Sequence, residues 1–215
     1  MFRDRIDAAQ RLAAALGRLR LARPLILAIP RGAVPMGRIL ADALGGELDV
    51  VLVRKLGAPG NPEFALGAID ETGWTWMGEH AGAASADHAY IEREKRAQLQ
   101  TMRRRRERYT PARSPADPAG RDVIVVDDGL ATGATMIAAL HAVRARKPAR
   151  LVCAVPVAAP GSLAAVRPYA DEVVCLEAPE DFYAVGQFYA DFDQVEDDEV
   201  IALLAGSAAK ACRFR

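Results

Sequence analysis

Short apolar runs recur along this chain at residues 25–29, 48–53, 123–126, 151–157 and 172–176. They are rich in Val, Ile and Leu and bounded by turn residues, so each reads as a strand, and the most uniformly apolar of them as buried on both faces. Between them, apolar residues fall three and four apart. Residues 4–19 place Ile6, Leu12, Ala13, Leu16 and Leu19 at helical spacing, and residues 35–44, 136–143, 161–167 and 197–204 also read as helices. Residues 86–109 form a highly charged helix, and 111–120 a Pro-rich connector. Residues 64–78, with Trp74 and Trp76, predict one or two further strands. Residues 56–63 are rich in Gly and Pro and predict a mobile loop. Strands alternating with helices predict an α/β fold, a mostly parallel twisted sheet flanked by helices. The expected organisation is one domain over residues 1–215. Its core covers about 22–78 and 121–178, with a charged helical insertion at about 79–120 and a C-terminal segment at about 179–215.

In such sheets ligands bind beyond the carboxyl ends of the strands. The loops at 30–33, 54–63, 127–135 and 157–161 fall at that edge. The most specific stretch runs from Val123 through Asp127-Asp128-Gly129-Leu130-Ala131-Thr132-Gly133-Ala134-Thr135 to Met136. A strand, an acidic pair, a loop of small residues and a helix make an anion site at a helix N-terminus. The backbone N–H groups of Ala131, Thr132, Gly133, Ala134 and Thr135 would face a phosphate, with hydroxyls from Thr132 and Thr135. Gly133 lets the backbone approach closely. Asp127 and Asp128 suit the vicinal hydroxyls of a ribose or a hydrated Mg²⁺. The stretch contains neither GxxxxGK[ST] nor GxGxxG. Pro30-Arg31-Gly32-Ala33 follows a strand directly and offers backbone N–H groups and a guanidinium to a second phosphate. Arg54 and Lys55, adjacent at a strand end, are costly unless solvated or paired with anions.

The acidic-pair stretch closely resembles the phosphoribosyl-pyrophosphate (PRPP) motif of type I phosphoribosyltransferases. That resemblance implies a Rossmann-like sheet with a small hood, built here from the C-terminal segment and the charged helix. It also implies transfer of the phosphoribosyl group from PRPP to a nitrogenous acceptor such as a nucleobase, with release of pyrophosphate. Residues 131–135 would hold the 5′-phosphate. Asp127 and Asp128 would hold the ribose hydroxyls, with Asp128 also beside an Mg²⁺ carried by PRPP. Arg31, Gly32 and Arg54 would take the pyrophosphate, and Lys55 would neutralise it as it leaves. Pro30-Arg31-Gly32-Ala33 resembles the family's pyrophosphate loop, where a non-proline cis peptide is expected around Arg31-Gly32. Arg54-Lys55 looks like the pair that opens the family's flexible catalytic lid. Phe182, Tyr183 and Phe188 would form the acceptor hood. Residues 24–75 and 121–195 together resemble a subgroup of phosphoribosyltransferases sometimes fused to a hydrolase domain. Ala131 stands where hypoxanthine-type members carry an Asp, which argues against a 6-oxopurine acceptor. The stretch around Phe182 resembles their Phe-x-Val-Gly and pulls the other way.

Composition narrows this picture. The 51% hydrophobic content supports a sizeable core, and the net charge of zero gives no global field for nucleic acid or membrane. Arg103 to Arg106 and Arg108 read as a solvated helix face or a partner for the acidic stretch at 196–199, since Glu92, Glu94 and Glu107 share the helix. Cys153, Cys175 and Cys212 lack CxxC spacing, and Cys153 and Cys175, inside apolar runs, read as buried thiols in a reducing compartment, the cytoplasm. His80, His88 and His141 have no metal-ligand spacing. No membrane span is expected, and a homodimer is in keeping with the resemblance. Two other functions fit the same phosphate cradle: a PRPP-binding regulator without turnover, and a phosphatase or hydrolase acting on a phosphorylated sugar.

Overall fold

The computed structural model describes residues 1–78, 87–111 and 114–206. His80 and Cys212 lie outside them, as do parts of the expected insertion and C-terminal segment. Five strands form a parallel sheet: β1 (Leu25–Ala28), β2 (Glu47–Val50), β6 (Asp122–Val126), β7 (Arg150–Val157) and β8 (Glu172–Glu177). Their order is β2-β1-β6-β7-β8, with Leu25 in register with both Glu47 and Val123. The period-two alternation of a strand divides the core. Ile26, Ala28, Ile124 and Val126 face one apolar cluster, shared with α1 (Arg5–Leu16), α2 (Val34–Leu44) and α6 (Asp197–Leu204). Leu25, Leu27, Val123 and Val125 face the other, under α4 (Ala134–Ala145) and α5 (Pro160–Val166). Both faces being covered explains why β1, and β6 and β7 after their first residues, are apolar at every position.

Helix α1 starts where Asp4 caps it, its Oδ1 accepting from the N–H of Asp7 at 2.7 Å. Its buried face is Ala8, Ala9, Leu12 and Leu16, and Ile6 is exposed. Just before this helix, Phe2 pairs with Tyr189, and the N–H of Phe2 donates to the carbonyl of Phe188 at 2.7 Å. The two ends of the described chain are thereby laced together beside α1.

One expected element divides. The apolar run 48–53 is not one strand: β2 stops at Val50, and β3 (Val53–Ala58) begins a second, antiparallel sheet with β4 (Asn61–Asp70) and β5 (Thr75–Met77). Val51 still donates to the carbonyl of Ala28, whereas Val53 pairs with Asp70. Continuous apolarity does not encode that change of hydrogen-bond partner. Arg54 and Lys55 consequently sit within β3 rather than at the end of a strand of the parallel sheet. The stretch 56–63, read as a loop, is mostly the β3–β4 hairpin, with Pro59 and Gly60 at its turn. A Pro-Gly pair suits a tight turn, and Gly60 has φ +73°.

Helix α3 (His88–Tyr109) crosses from this hairpin to α6. Its Arg106 is buried. Nη1 donates to Asp49 of β2 at 2.7 Å, Nε and Nη2 donate to Glu71 at 2.8 and 2.5 Å, and Nη2 also reaches the carbonyl of Val50 at 2.8 Å. Burial opposes the charge, but the bonds and charges of Glu71 and Asp49 outweigh it and raise its pKa. One guanidinium therefore ties α3, the parallel sheet and the β4–β5 turn together. Arg106→Ala is expected to lower stability by about 3–5 kcal/mol, because it strips buried carboxylates of their shared cation. Urea unfolding checks this, and a loss below about 1 kcal/mol, the range of exposed pairs, would show the network to be incidental.

Candidate active site

The chain leaves β1 toward β2 and leaves β6 toward β7, although β1 and β6 are neighbours. Such a reversal opens a crevice at the carboxyl ends of the two strands. The loop after β1 and the acidic pair after β6 meet there.

Asp127 and Asp128 follow β6 directly. The Asp128 N–H donates to Asp127 Oδ1 at 2.9 Å. Burial pushes the Asp127 carboxyl well above its usual range, and the charge of Asp128 adds to this. Burial also raises Asp128, against the opposing charge and hydrogen bonds of Arg5. Arg5 Nε and Nη2 both donate to Asp128 Oδ2, at 3.0 and 2.9 Å. The pair is largely shielded, with side chains only 12% and 16% exposed. Arg5 Nη1 donates to the carbonyl of Asp193 at 2.6 Å, and its Cζ lies 3.8 Å from the centre of the Phe192 ring. Tyr189 Oη donates to the backbone carbonyl of Asp128 at 2.6 Å, and burial beside the acid pair raises its pKa. Arg5, Tyr189 and Phe192 carry no motif. The backbone bonds of Phe2 and Arg3 to residues 188–191 bring them here.

The peptide joining Pro30 to Arg31 is cis, one bond before the Arg31-Gly32 step. Gly32 is required by close approach: a Cβ there would stand 2.2 Å from Asp128 Oδ2. Arg31 Nη1 lies 3.3 Å from Glu196 and 3.9 Å from Asp197, at the start of α6. The Tyr109 hydroxyl, opposed by partial burial, and the Arg108 charge lower the Asp197 pKa and keep it anionic.

The loop after the acid pair is braced against the end of β7. Leu130 bridges to Ala158, and Ser162 Oγ donates to the carbonyl of Ala131 at 2.6 Å. Ala131 and Thr132 are exposed. Gly133 stands just before α4 with φ +75°, a conformation that glycine adopts without strain. Ala134 and Thr135 form the first turn of α4, whose N–H groups have no intrahelical acceptors.

Two cavities, each of about 490 Å³, open at this edge, and neither is lined by Asp127 or by residues 131–134. Arg54, Lys55 and Thr135 line one, with Pro30. Arg31, Gly32, Asp128 and Arg5 line the other, with Val185 and Phe192 from the C-terminal segment. The loop after β1 borders both. Phe182 and Phe188 pack on each other at 5.1 Å, and Tyr183 is 89% exposed. None of these three lines the cavity beside Asp128.

Asp127 holds a raised pKa because ionising it there is costly. Its charge therefore destabilises the folded state above the ordinary pKa of 3.8, increasingly so until the raised folded pKa is passed. Asp127→Asn keeps the acceptor for the Asp128 N–H and removes the charge. It is expected to raise the melting temperature at pH 7 by ~2–4 °C for each kcal/mol relieved. The gain should vanish near pH 3. A Tm equal to or below wild type at pH 7 would contradict the electrostatic account.

The phosphoribosyl transferase domain model matches residues 3–193. Two Mycobacterium tuberculosis proteins, each named "Putative phosphoribosyl transferase", are 43% identical over 210 residues. The match takes in 95% of this chain and 46% of theirs, so the chain spans about half the length of these curated relatives. The crystal structure of a Thermus thermophilus protein, TT1426, is 51% identical and superposes with a TM-score of 0.87, covering 95% of this chain and 98% of that one. A Neisseria gonorrhoeae hypothetical protein, solved with bound ppGpp, shares the fold at a TM-score of 0.54 and 15% identity, covering 96% of this chain and 98% of that one. The acid pair and the small-residue loop at the sheet's switch point thus sit within a match that runs almost end to end, and the chain belongs to the phosphoribosyl transferase domain family.

Proposed function

We propose that this chain transfers the 5-phosphoribosyl group of PRPP to a nitrogenous acceptor, a nucleobase, and releases pyrophosphate. The observation that carries this reading is the meeting of three features at one sheet edge: a buried acid pair, a helix N-terminus and a cationic cavity. A phosphorylated pentose diphosphate presents matching groups: two hydroxyls, a monophosphate and a diphosphate.

In this reading the loop from Ala131 to Thr135 holds the 5′-phosphate by backbone N–H groups and the α4 dipole. Asp127 and Asp128 accept from the 2′- and 3′-hydroxyls. Arg54 and Lys55 face the pyrophosphate and stabilise its charge as the bond to ribose C1 breaks. The transition state resembles an oxocarbenium ion, so the acid pair near the ring also favours it electrostatically. The acceptor occupies the cavity beside Asp128, under Val185 and Phe192, and attacks C1 from the face opposite the leaving group. Positioning and leaving-group stabilisation supply the catalysis.

Mg²⁺ fits this site as an ion carried by the substrate. Mg²⁺ takes one or two carboxylates and completes its shell with phosphate oxygens and water. Among the described residues no group of three or more His, Cys, Asp and Glu side chains gathers to cage it, and the acid pair supplies the carboxylates, with Asp128 nearest the site. When bound, it would offset pyrophosphate charge. Arg5 holds Asp128 Oδ2 in this structure. The thiols of Cys153 and Cys175 are free, in keeping with the reducing cytoplasm in which such substrates are found. No helix among the described residues is long and apolar enough to cross a membrane.

Pyrophosphate release from PRPP and Mg²⁺, measured across purine and pyrimidine bases and ammonia, tests the reading. One acceptor is expected to stimulate release. Free phosphate as the product would instead identify a phosphatase, and binding of PRPP without release a regulator. Asp128→Asn is expected to cut turnover by at least ~100-fold, as for removal of one electrostatic contact to a transition state. Turnover close to wild type in that variant would refute the roles given to the acid pair.

A further inference from the structure

Arg5, which no motif singles out, stands where three parts of the proposed site meet. Its Nε and Nη2 both donate to Asp128 Oδ2, at 3.0 and 2.9 Å. A carboxylate oxygen offers two lone pairs, so these two donors take up Oδ2. A Cβ on Gly32 would stand 3.3 Å from Arg5 Nη2, so the guanidinium also abuts the loop after β1. Its third contact is with the C-terminal segment. Nη1 donates to the carbonyl of Asp193 at 2.6 Å, and Cζ lies 3.8 Å from the centre of the Phe192 ring.

The ring contact is the informative one. Arg5 and Phe192 line the same cavity, the one read above as the place of the acceptor. Tyr189 packs on the Phe192 ring with 4.9 Å between centroids, and a Cβ on Gly186 would stand 3.1 Å from Phe192 Cδ1. A planar acceptor stacking on Phe192 therefore needs the face that the guanidinium covers. A flat cation bonded to a carboxylate and a carbonyl, and resting on an aromatic ring, is held as a ligand is held. A second carboxylate is at hand to receive it. Burial raises the carboxyl of Glu199, half-buried on the first turn of α6, and the Arg5 charge opposes that rise, so the two lie within electrostatic reach.

We propose that Arg5 is a displaceable plug, which in the free protein fills the acceptor's place against Phe192 and leaves it when PRPP takes Asp128. The proposal rests on the function proposed above, in which Asp128 accepts from the ribose and the acceptor lies under Phe192. Oδ2 cannot accept from a ribose hydroxyl while it accepts from both Nε and Nη2. Once those two charge-assisted bonds are lost, only the Asp193 carbonyl and the ring hold the guanidinium, and the side chain turns toward Glu199. One side chain thus couples the ribose contacts to the acceptor cavity. By linkage, an acceptor that displaces Arg5 also frees Asp128 for PRPP.

Two measurements test this. The first uses wild type and follows the Arg5 Nε–H by nitrogen-15 NMR, its signal assigned by its loss in Arg5→Lys. PRPP with Mg²⁺ is expected to speed exchange of this proton with water by about tenfold or more, as its bond to Asp128 opens. The second measures binding of purine and pyrimidine bases to the free protein by saturation-transfer NMR. Arg5→Ala is expected to bind at least one base about tenfold more tightly than wild type, with Arg5→Lys, which keeps the charge but not the plane, in between. Adding Phe192→Leu to Arg5→Ala should remove the gain. Unchanged exchange at saturating PRPP, no base that gains, or a gain that survives Phe192→Leu would overturn the proposal. If any of these occurs while wild type releases pyrophosphate from PRPP, only the role of Arg5 falls. If wild type neither binds PRPP nor turns it over, the proposed function falls with it.

Discussion

Two adjacent carboxylates at the end of a buried parallel strand are the constraint around which this molecule is arranged. Asp127 and Asp128 follow β6 directly, and burial pushes both carboxyls above their usual range. Compensation comes from both ends of the chain. Arg5 arrives on the first turn of α1 and binds Asp128 with two donors. Asp193 and Phe192 hold Arg5 from its other sides. This closure depends on the short pairing of Phe2 with Tyr189. The charge of Asp128 thus ties the start of α1 to the stretch around Phe192, and both wall one of the two cavities.

A second electrostatic device organises the other side. Helix α3 is too polar to be held by an apolar stripe alone. It is anchored by Met102 and Tyr109 in the core and by Arg106 among carboxylates. The residues between these anchors turn toward different surroundings. The same arginine run thus supplies a buried tie at Arg106, a surface clasp to α6 at Arg108 and a cavity wall at Arg105. The aromatic pairs of His141 with Trp74 and Trp76 seat the second sheet on α4, so the hairpin bearing Arg54 and Lys55 rests on the helix that follows the acid pair and its small-residue loop.

Much of this was legible in the chain. The run from Val123 to Met136 carries strand, acids, loop and helix in one contiguous stretch, and local stretches are what sequence patterns report. The parallel sheet was legible for the same reason, since strands buried on both faces must be apolar throughout. The break after Val50 was not, because one apolar run served two sheets and its hydrogen-bond partners lie elsewhere in the chain. The arginine run was legible in part: Arg108 pairs with Asp197 and Asp198 of the acidic stretch, one of its two expected surroundings, whereas helical rotation buries Arg106 and half-buries Arg105.

By itself, the sequence determined the fold class and the succession of strand, acid pair, small-residue loop and helix, because each depends on residues close together along the chain. Only the tertiary structure decided that Arg5 would neutralise Asp128 across 123 positions, and that Val185 and Phe192, rather than Phe182, Tyr183 and Phe188, would line the cavity beside it. It also decided that Arg31 would face α6 while Arg54 and Lys55 face α3. These are choices of partner between distant segments. They are set by which buried charges must find a counter-ion and by how helices of fixed register rotate against a twisted sheet, and neither is written in the spacing of residues along one segment.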